Sequence, residues 1–223
     1  METYKKWSTQ DLIELSNQLG CPSGPQGIAV ARRMQESNKE MVINAFTALD
    51  VQHNNNILEL GPGNGWHLTH VLKNKKHLTY TGLDISTLMI EEAKKYNSTF
   101  AKQQALEFKA YNGKLLDFSE AEFDKIIAVN TLYFWKEPTK IISQLYKLLK
   151  KGGALVLGYA ERKFMEQLPF TQHGFELYDS VELLSLLEKC GFSNFQLKVH
   201  TDSVLSKMGT AVERDYTILK VTK

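Results

Sequence analysis

Cysteine is scarce in this chain. Cys21 and Cys190 lie far apart, and neither belongs to a C-x-x-C pair. That excludes a disulfide framework and a cysteine-built zinc site as organising devices. Cys190 stands at a predicted helix end, with Gly191 as the stop, and reads as a small core residue. A charge excess is also missing. The 27 basic and 25 acidic residues leave a net charge of +2, too small to carry nucleic-acid binding by itself. Lys73, Lys75 and Lys76, and again Lys147, Lys150 and Lys151, fall at predicted helix ends, where cations complement the helix dipole. No apolar run is long enough to span a membrane. The opening Met1-Glu-Thr-Tyr-Lys-Lys-Trp7 is polar rather than signal-like, so a cytoplasmic setting without membrane insertion is expected. Only His67 and His70 have the helical spacing of a metal pair. No third ligand accompanies them, so no metal is expected. There is no internal repeat and no GxxxxGK[ST] phosphate loop. What remains is 223 residues, 43% hydrophobic and 23% charged, enough for one substantial domain with a large core.

The most informative stretch is Ile57-Leu-Glu-Leu-Gly-Pro-Gly-Asn-Gly-Trp-His67. A short apolar run containing Glu59 is followed by glycines at alternate positions, Gly61, Gly63 and Gly65, and then by helical patterning from Trp66. This reads as a strand, a tight turn and a helix start. Glycine is needed there for positive φ and for close approach of a ligand to backbone. A dinucleotide fingerprint would want glycine at position 66, where Trp66 stands. The pattern left is E-x-G-x-G-x-G, and a purely structural turn is its alternative.

Leu78-Thr-Tyr-Thr-Gly-Leu83 reads as the next strand and ends in Asp84, at the distance expected of a ribose-binding acid. Such a carboxylate can accept from both ribose hydroxyls. The alternative is helix capping, but Ser86 is an equally good cap. A third strand, Leu106 to Ala110, leads to Tyr111-Asn112-Gly113, also a strong turn sequence. A fourth, Ile126 to Val129, ends in Asn130, with the aromatic cluster Tyr133-Phe-Trp135 beyond it. A helix from about Thr139 to Lys150 and a strand from Ala154 to Gly158 follow.

With these motifs in order, the chain resembles the class I S-adenosylmethionine (SAM)-dependent methyltransferases, well over residues 55 to 160 and more loosely in the flanks. The resemblance implies an α/β fold of Rossmann-like, doubly wound type. Its seven-stranded, mostly parallel sheet would end in a C-terminal antiparallel hairpin, here Asn194–His200 and Arg214–Val221. It implies SAM as cofactor, S-adenosylhomocysteine as product, and a cofactor site at Glu59, Gly61, Gly63, Gly65, Asp84, Ile85, Met89, Asn112, Gly113 and Asn130. Ile85 would cover one adenine face, with Met89 behind it. Asn112 would accept from the adenine amino group.

The flanks extend this reading. Ser8-Thr-Gln-Asp11 resembles a capping box. The breaker-rich Gly20–Gly27 loop separates a first helix from helical patterns over Ile28–Met34 and Asn38–Leu49. Residues 1–50 are expected to form a helical cap or lid on the methyltransferase domain of residues 51–223. The long aromatic stretch Tyr159–Asp179 leaves the carboxyl end of a strand, where ligands of open α/β sheets bind. It suggests a small, partly apolar acceptor rather than nucleic acid. No conspicuous catalytic residue is evident; His173, Tyr133 and Tyr178 are the weak candidates. Three alternatives stand beside this reading: methylation of RNA or protein, a nicotinamide oxidoreductase (disfavoured by Trp66), and a non-catalytic SAM-binding or interaction module.

Overall fold

A computed structural model of the chain describes residues 7–205 and 211–223. Its elements are helices α1 (Thr9–Gly20) and α2 (Gly24–Leu49), strand β1 (Asn56–Leu60), helix α3 (Leu68–Val71), strand β2 (Thr79–Asp84), helix α4 (Thr87–Tyr96), strands β3 (Ala105–Ala110) and β4 (Phe123–Val129), helix α5 (Pro138–Leu148), strand β5 (Leu149–Ala160), helices α6 (Arg162–Met165) and α7 (Ser180–Lys189), and strands β6 (Ser193–Leu205) and β7 (Ala211–Thr222). The seven strands form one sheet in the order β3-β2-β1-β4-β5-β7-β6. The first five strands pair in parallel, and β7 runs antiparallel between β5 and β6. This is the expected Rossmann-like sheet with its C-terminal hairpin.

The parallel strands are apolar because both faces are covered. Leu58, Leu60, Ile126 and Leu157 face a core completed by α5 and α7 through Ile142, Leu145 and Leu187. Ile57, Ile127 and Val156 face the opposite core, built with Met41, Ala45, Phe46 and Leu49 of α2. The strand order reverses between β1 and β4, so the chain leaves these neighbours in opposite directions and a crevice opens above their carboxyl ends.

Local signals account for most element boundaries. Ser8 and Asp11 form a reciprocal capping box on α1, and Asp179 and Glu182 form another on α7. Ser86 Oγ accepts from Met89 N at 3.1 Å and caps α4. Pro138 occupies the first turn of α5, where its missing N–H is not needed.

Two expectations need correction. The breaker-rich segment is only a corner at residues 21–23, and α2 runs unbroken for 26 residues. Pro25 lies in its first turn, where proline is tolerated. Gly27 lies within the helix at a point where any side chain would crowd the preceding corner, since a Cβ there would lie 2.9 Å from the Pro22 backbone. Ser37 stays within the helix by donating its Oγ hydrogen to Arg33 O at 2.9 Å. The helix after the glycine turn is also short, a single turn at Leu68–Val71. No helix among the described residues is long and apolar enough to cross a membrane.

Candidate active site

The crevice above β1 and β4 is a cleft floored by the glycine turn and roofed by α1 and α2. Glu59, Gly61, Gly63, Asp84, Ile85, Met89, Gly113 and Asn130 all line it. Two expected residues do not. Asn112 is exposed, and its Oδ1 accepts from Lys114 N and Leu115 N, both at 2.9 Å, so it shapes its own turn. Gly65 supports the loop from behind. Its carbonyl accepts from Asn97 Nδ2 at 3.0 Å, and a Cβ at Gly65 would lie 2.8 Å from that nitrogen.

The three glycines share positive φ, at 71°, 57° and 62°, but their surroundings differ. A Cβ on Gly61 would fall 2.0 Å from Thr131 Cγ2, whereas a Cβ on Gly63 would meet nothing within 4 Å. The backbone at Gly63 therefore borders open cleft, as close approach of a ligand requires.

Asp84 ends β2 beside this opening. Its Oδ2 accepts from Gly63 N at 3.1 Å and its Oδ1 from Ser86 N at 2.9 Å. Burial pushes its pKa up to about 6. The Ser86 and Gly63 amides counter that rise, and the charge of Glu59 adds to it. A buried carboxylate with so few donors suits polar hydrogens supplied by a ligand. Tyr111 lines the same cleft, its phenol pushed up to about 12 by burial and then by Asp84.

Residue spacing alone does not announce the network around Glu59. Glu59 Oε2 accepts from Tyr80 OH at 2.6 Å and faces His67 Nε2 at 2.9 Å. Oε1 takes part in neither of these contacts, and the buried His67 Nδ1 has no hydrogen-bond partner among the described residues. His67 thus belongs to a buried carboxylate network instead of a metal pair. Among the described residues, no group of three or more His, Cys, Asp or Glu side chains could hold a metal ion.

The N-terminal helices are tied to this floor. Ser86 Oγ donates to Pro22 O at 2.5 Å, and Asn64 Nδ2 donates to Gln35 Oε1 at 3.2 Å. Met34 and Asn38 of α2 line the cleft. Beside the cleft lies a second, mainly apolar chamber walled by Phe134, Phe164, Phe170 and Phe175. Leu19, Met34, Asn38, Asn130 and Phe134 border both spaces, a shared rim termed the neck below.

Of the weak catalytic candidates, only Tyr133 borders either space, lining the second chamber. Its hydroxyl accepts from Ala160 N at 2.6 Å and donates toward Ala160 O at 3.1 Å or Asn130 Oδ1 at 3.3 Å. Burial holds its phenol well above the ordinary range. That is a clamp between β4 and β5. Tyr133→Phe is expected to cost about 1–3 kcal/mol by leaving the Ala160 amide unpaired, with the pH–rate profile unchanged. Urea unfolding measured beside that profile checks this, and a shifted profile would make Tyr133 a proton-transfer group. His173 and Tyr178 border neither space, and the His173 carbonyl accepts from Ser16 Oγ.

A doubly wound sheet with a glycine turn and a buried acid on the neighbouring strand defines a nucleoside-binding α/β domain. Over residues 58–157, a little under half of its length, the chain matches the model of the methyltransferase domain family. It is 28% identical over 115 residues to an uncharacterised methyltransferase, YdaC, of Bacillus subtilis. That match covers 52% of this chain, and the chain spans about three fifths of the relative's length (61%). A SAM-dependent methyltransferase of Thermotoga maritima, described as a possible histamine N-methyltransferase, shares the fold with a TM-score of 0.67 at 19% identity, covering 95% of this chain and 99% of that one. So does the phosphoethanolamine N-methyltransferase 2 of Haemonchus contortus, bound to phosphomonomethylethanolamine and S-adenosylhomocysteine, with a TM-score of 0.69 at 13% identity, covering 98% and 61%.

Proposed function

We propose that this chain transfers a methyl group from SAM to a small, partly apolar acceptor. The observation that carries this reading is the neck, the rim that the glycine-turn cleft shares with an aromatic chamber of about half its volume, 80 against 160 Å³. The residues present suit the cofactor. Asp84 would accept from the ribose hydroxyls, with Ile85 and Met89 against the adenine and Gly113 at its edge. The open side of Gly63 would admit the chain linking ribose to sulfur, and Glu59 Oε1 would face the ammonium group. The bound cofactor supplies a methyl carbon already activated by its sulfonium.

The protein's task is then mainly orientation, which can supply about 7–11 kcal/mol. The Phe134, Phe164, Phe170 and Phe175 walls would hold the acceptor's apolar body, and the neck would aim its nucleophile. A nucleic-acid strand or a folded protein suits so small and apolar a chamber poorly.

Calorimetry with SAM, S-adenosylhomocysteine, NAD and ATP tests the first step. The two sulfur compounds are expected to bind and the other two not; tight NAD binding without SAM binding would reject the reading. The roof is expected to act as a lid that excludes water. On adding S-adenosylhomocysteine, amide hydrogen exchange should slow across residues 20–40. Protection confined to residues 59–65, 84–89 and 112–113 would leave α1 and the start of α2 as a static cover.

A further inference from the structure

The neck and chamber hold a restricted set of chemical groups. Among the described residues bordering the chamber there is no carboxylate, imidazole, amine or thiol; the one charged side chain is Arg214. That guanidinium is already committed. Nε and Nη2 donate to the two Asp202 carboxylate oxygens at 3.1 and 2.7 Å, and Nη2 also donates to Ser37 O at 2.7 Å. Nη1 donates to Asn38 Oδ1 at 3.1 Å. Arg214 and Asp202 are both largely buried, so the pair is neutral and the described residues bordering the chamber leave no free cation for a phosphate or carboxylate acceptor.

The last of these bonds fixes a neighbour. Arginine can only donate, so the Asn38 oxygen must face it and the Asn38 NH₂ must face the other way. No described residue accepts from that NH₂, and Asn38 borders both the cleft and the chamber. The only other side chain in the neck with a polar group is Asn130. Amides cannot take up a proton at neutral pH, so the described residues of the neck offer no general base. Asn38 instead presents a hydrogen-bond donor there.

Resting on the SAM-dependent reading above, we propose that the acceptor is an uncharged, largely aromatic molecule whose nucleophile is an acidic thiol or phenol. It reacts as its conjugate base, with Asn38 Nδ2 donating to the anion. The acceptor gives its proton to solvent on binding. A lone pair of its sulfur or oxygen forms the bond to the methyl carbon while the electron pair of the breaking carbon–sulfur bond stays on the departing sulfur, which becomes a neutral thioether. Arg214 is a positioning residue that acts through Asn38.

The test uses 4-nitrothiophenol and 4-nitrophenol as acidic probes, 4-methylphenol as a weakly acidic one and phenethylamine as a cationic one. The full chain should methylate the first two, 4-methylphenol far more slowly, and phenethylamine not at all. The pH–rate profiles should follow each probe's own acidity. Spectrophotometric titration of 4-nitrophenol bound to the S-adenosylhomocysteine complex reads the pH at which the bound phenolate forms. Asn38→Asp keeps an oxygen for Arg214 but replaces the donor with a negative charge. It should weaken phenolate binding roughly 10- to 100-fold, as loss of a charge-assisted hydrogen bond does, and move the bound titration to higher pH. Asn38→Ala should fall between it and wild type. Melting temperature and S-adenosylhomocysteine affinity, followed in parallel, separate a loss of folding or of cofactor binding from a loss of phenolate binding. Failure of S-adenosylhomocysteine to bind the wild-type chain removes the cofactor reading and this proposal with it. With that binding intact, the proposal alone is overturned by preferred methylation of phenethylamine, by one pH profile shared by probes of different acidity, by no transfer to either acidic probe, or by undiminished phenolate binding in both Asn38 variants.

Discussion

Asp84→Asn should leave a protein that is more stable than wild type without ligand and unable to hold S-adenosylhomocysteine well. The carboxylate is buried, and its pKa is raised to about 6 from an ordinary 3.8. Between those values the folded chain keeps a proton that the unfolded chain has released. The stabilising contribution is therefore complete below about pH 4, is lost as pH rises through about 6 and stays lost above it. At pH 7.5 the buried charge costs the ligand-free protein about 1–3 kcal/mol. The amide removes that charge while its oxygen can still accept from Ser86 N or Gly63 N. Ligand binding runs the other way. Two hydroxyl donors satisfy the carboxylate but only partly match an amide, so affinity should fall roughly 10- to 100-fold. Wild-type affinity should itself decline as the pH drops below about 6. Thermal unfolding and calorimetry between pH 5 and 8 give both quantities. A variant that is less stable at pH 7.5, or that binds normally, would make Asp84 a structural residue.

Gly63→Val should abolish measurable cofactor binding, a loss of roughly 100-fold or more, while the chain still folds. Its φ of 57° costs a branched residue about 1–3 kcal/mol, a penalty that a core of this size can bear. The larger effect is steric: the space beside Gly63 is cleft, and a side chain there would take the ligand's place. Affinity should be read beside melting temperature. A folded variant that binds S-adenosylhomocysteine as wild type does would show that the ligand passes elsewhere.

How much of this could be read from the sequence depended on distance along the chain. The strand–turn–helix around Gly61–Gly65, the acid at Asp84 and the capping residues Ser8, Ser86 and Asp179 are local patterns, each set by its neighbours. The Glu59–His67–Tyr80 network is not. Glu59 pairs with Gly82 in the parallel ladder, and that register brings Tyr80 within reach; the spacing of residues 59, 67 and 80 carries no periodic signal. The chamber was only half visible. Its aromatic wall lay in the Tyr159–Asp179 stretch, but the Arg214–Asp202 pair and its grip on Asn38 join α2 to the C-terminal hairpin across 176 residues. The continuity of α2 was hidden for the opposite reason: Gly24, Pro25 and Gly27 read locally as breakers, while packing against Pro22 and Leu88 keeps the glycine at 27 inside a helix.

The contact between Gly61 and Thr131 has a consequence for genetics. A defect caused by Gly61→Ala combines a strained positive φ with collision against one methyl group on the neighbouring loop, so a second change, Thr131→Ser, should restore part of the lost function by deleting that methyl. Suppressors of this kind can exist only where the obstructing partner is encoded in the same chain. At Gly63 the space belongs to the ligand, and intragenic revertants should be limited to restoration of glycine itself. The two positions, two residues apart in one turn, should therefore separate cleanly in a suppressor screen.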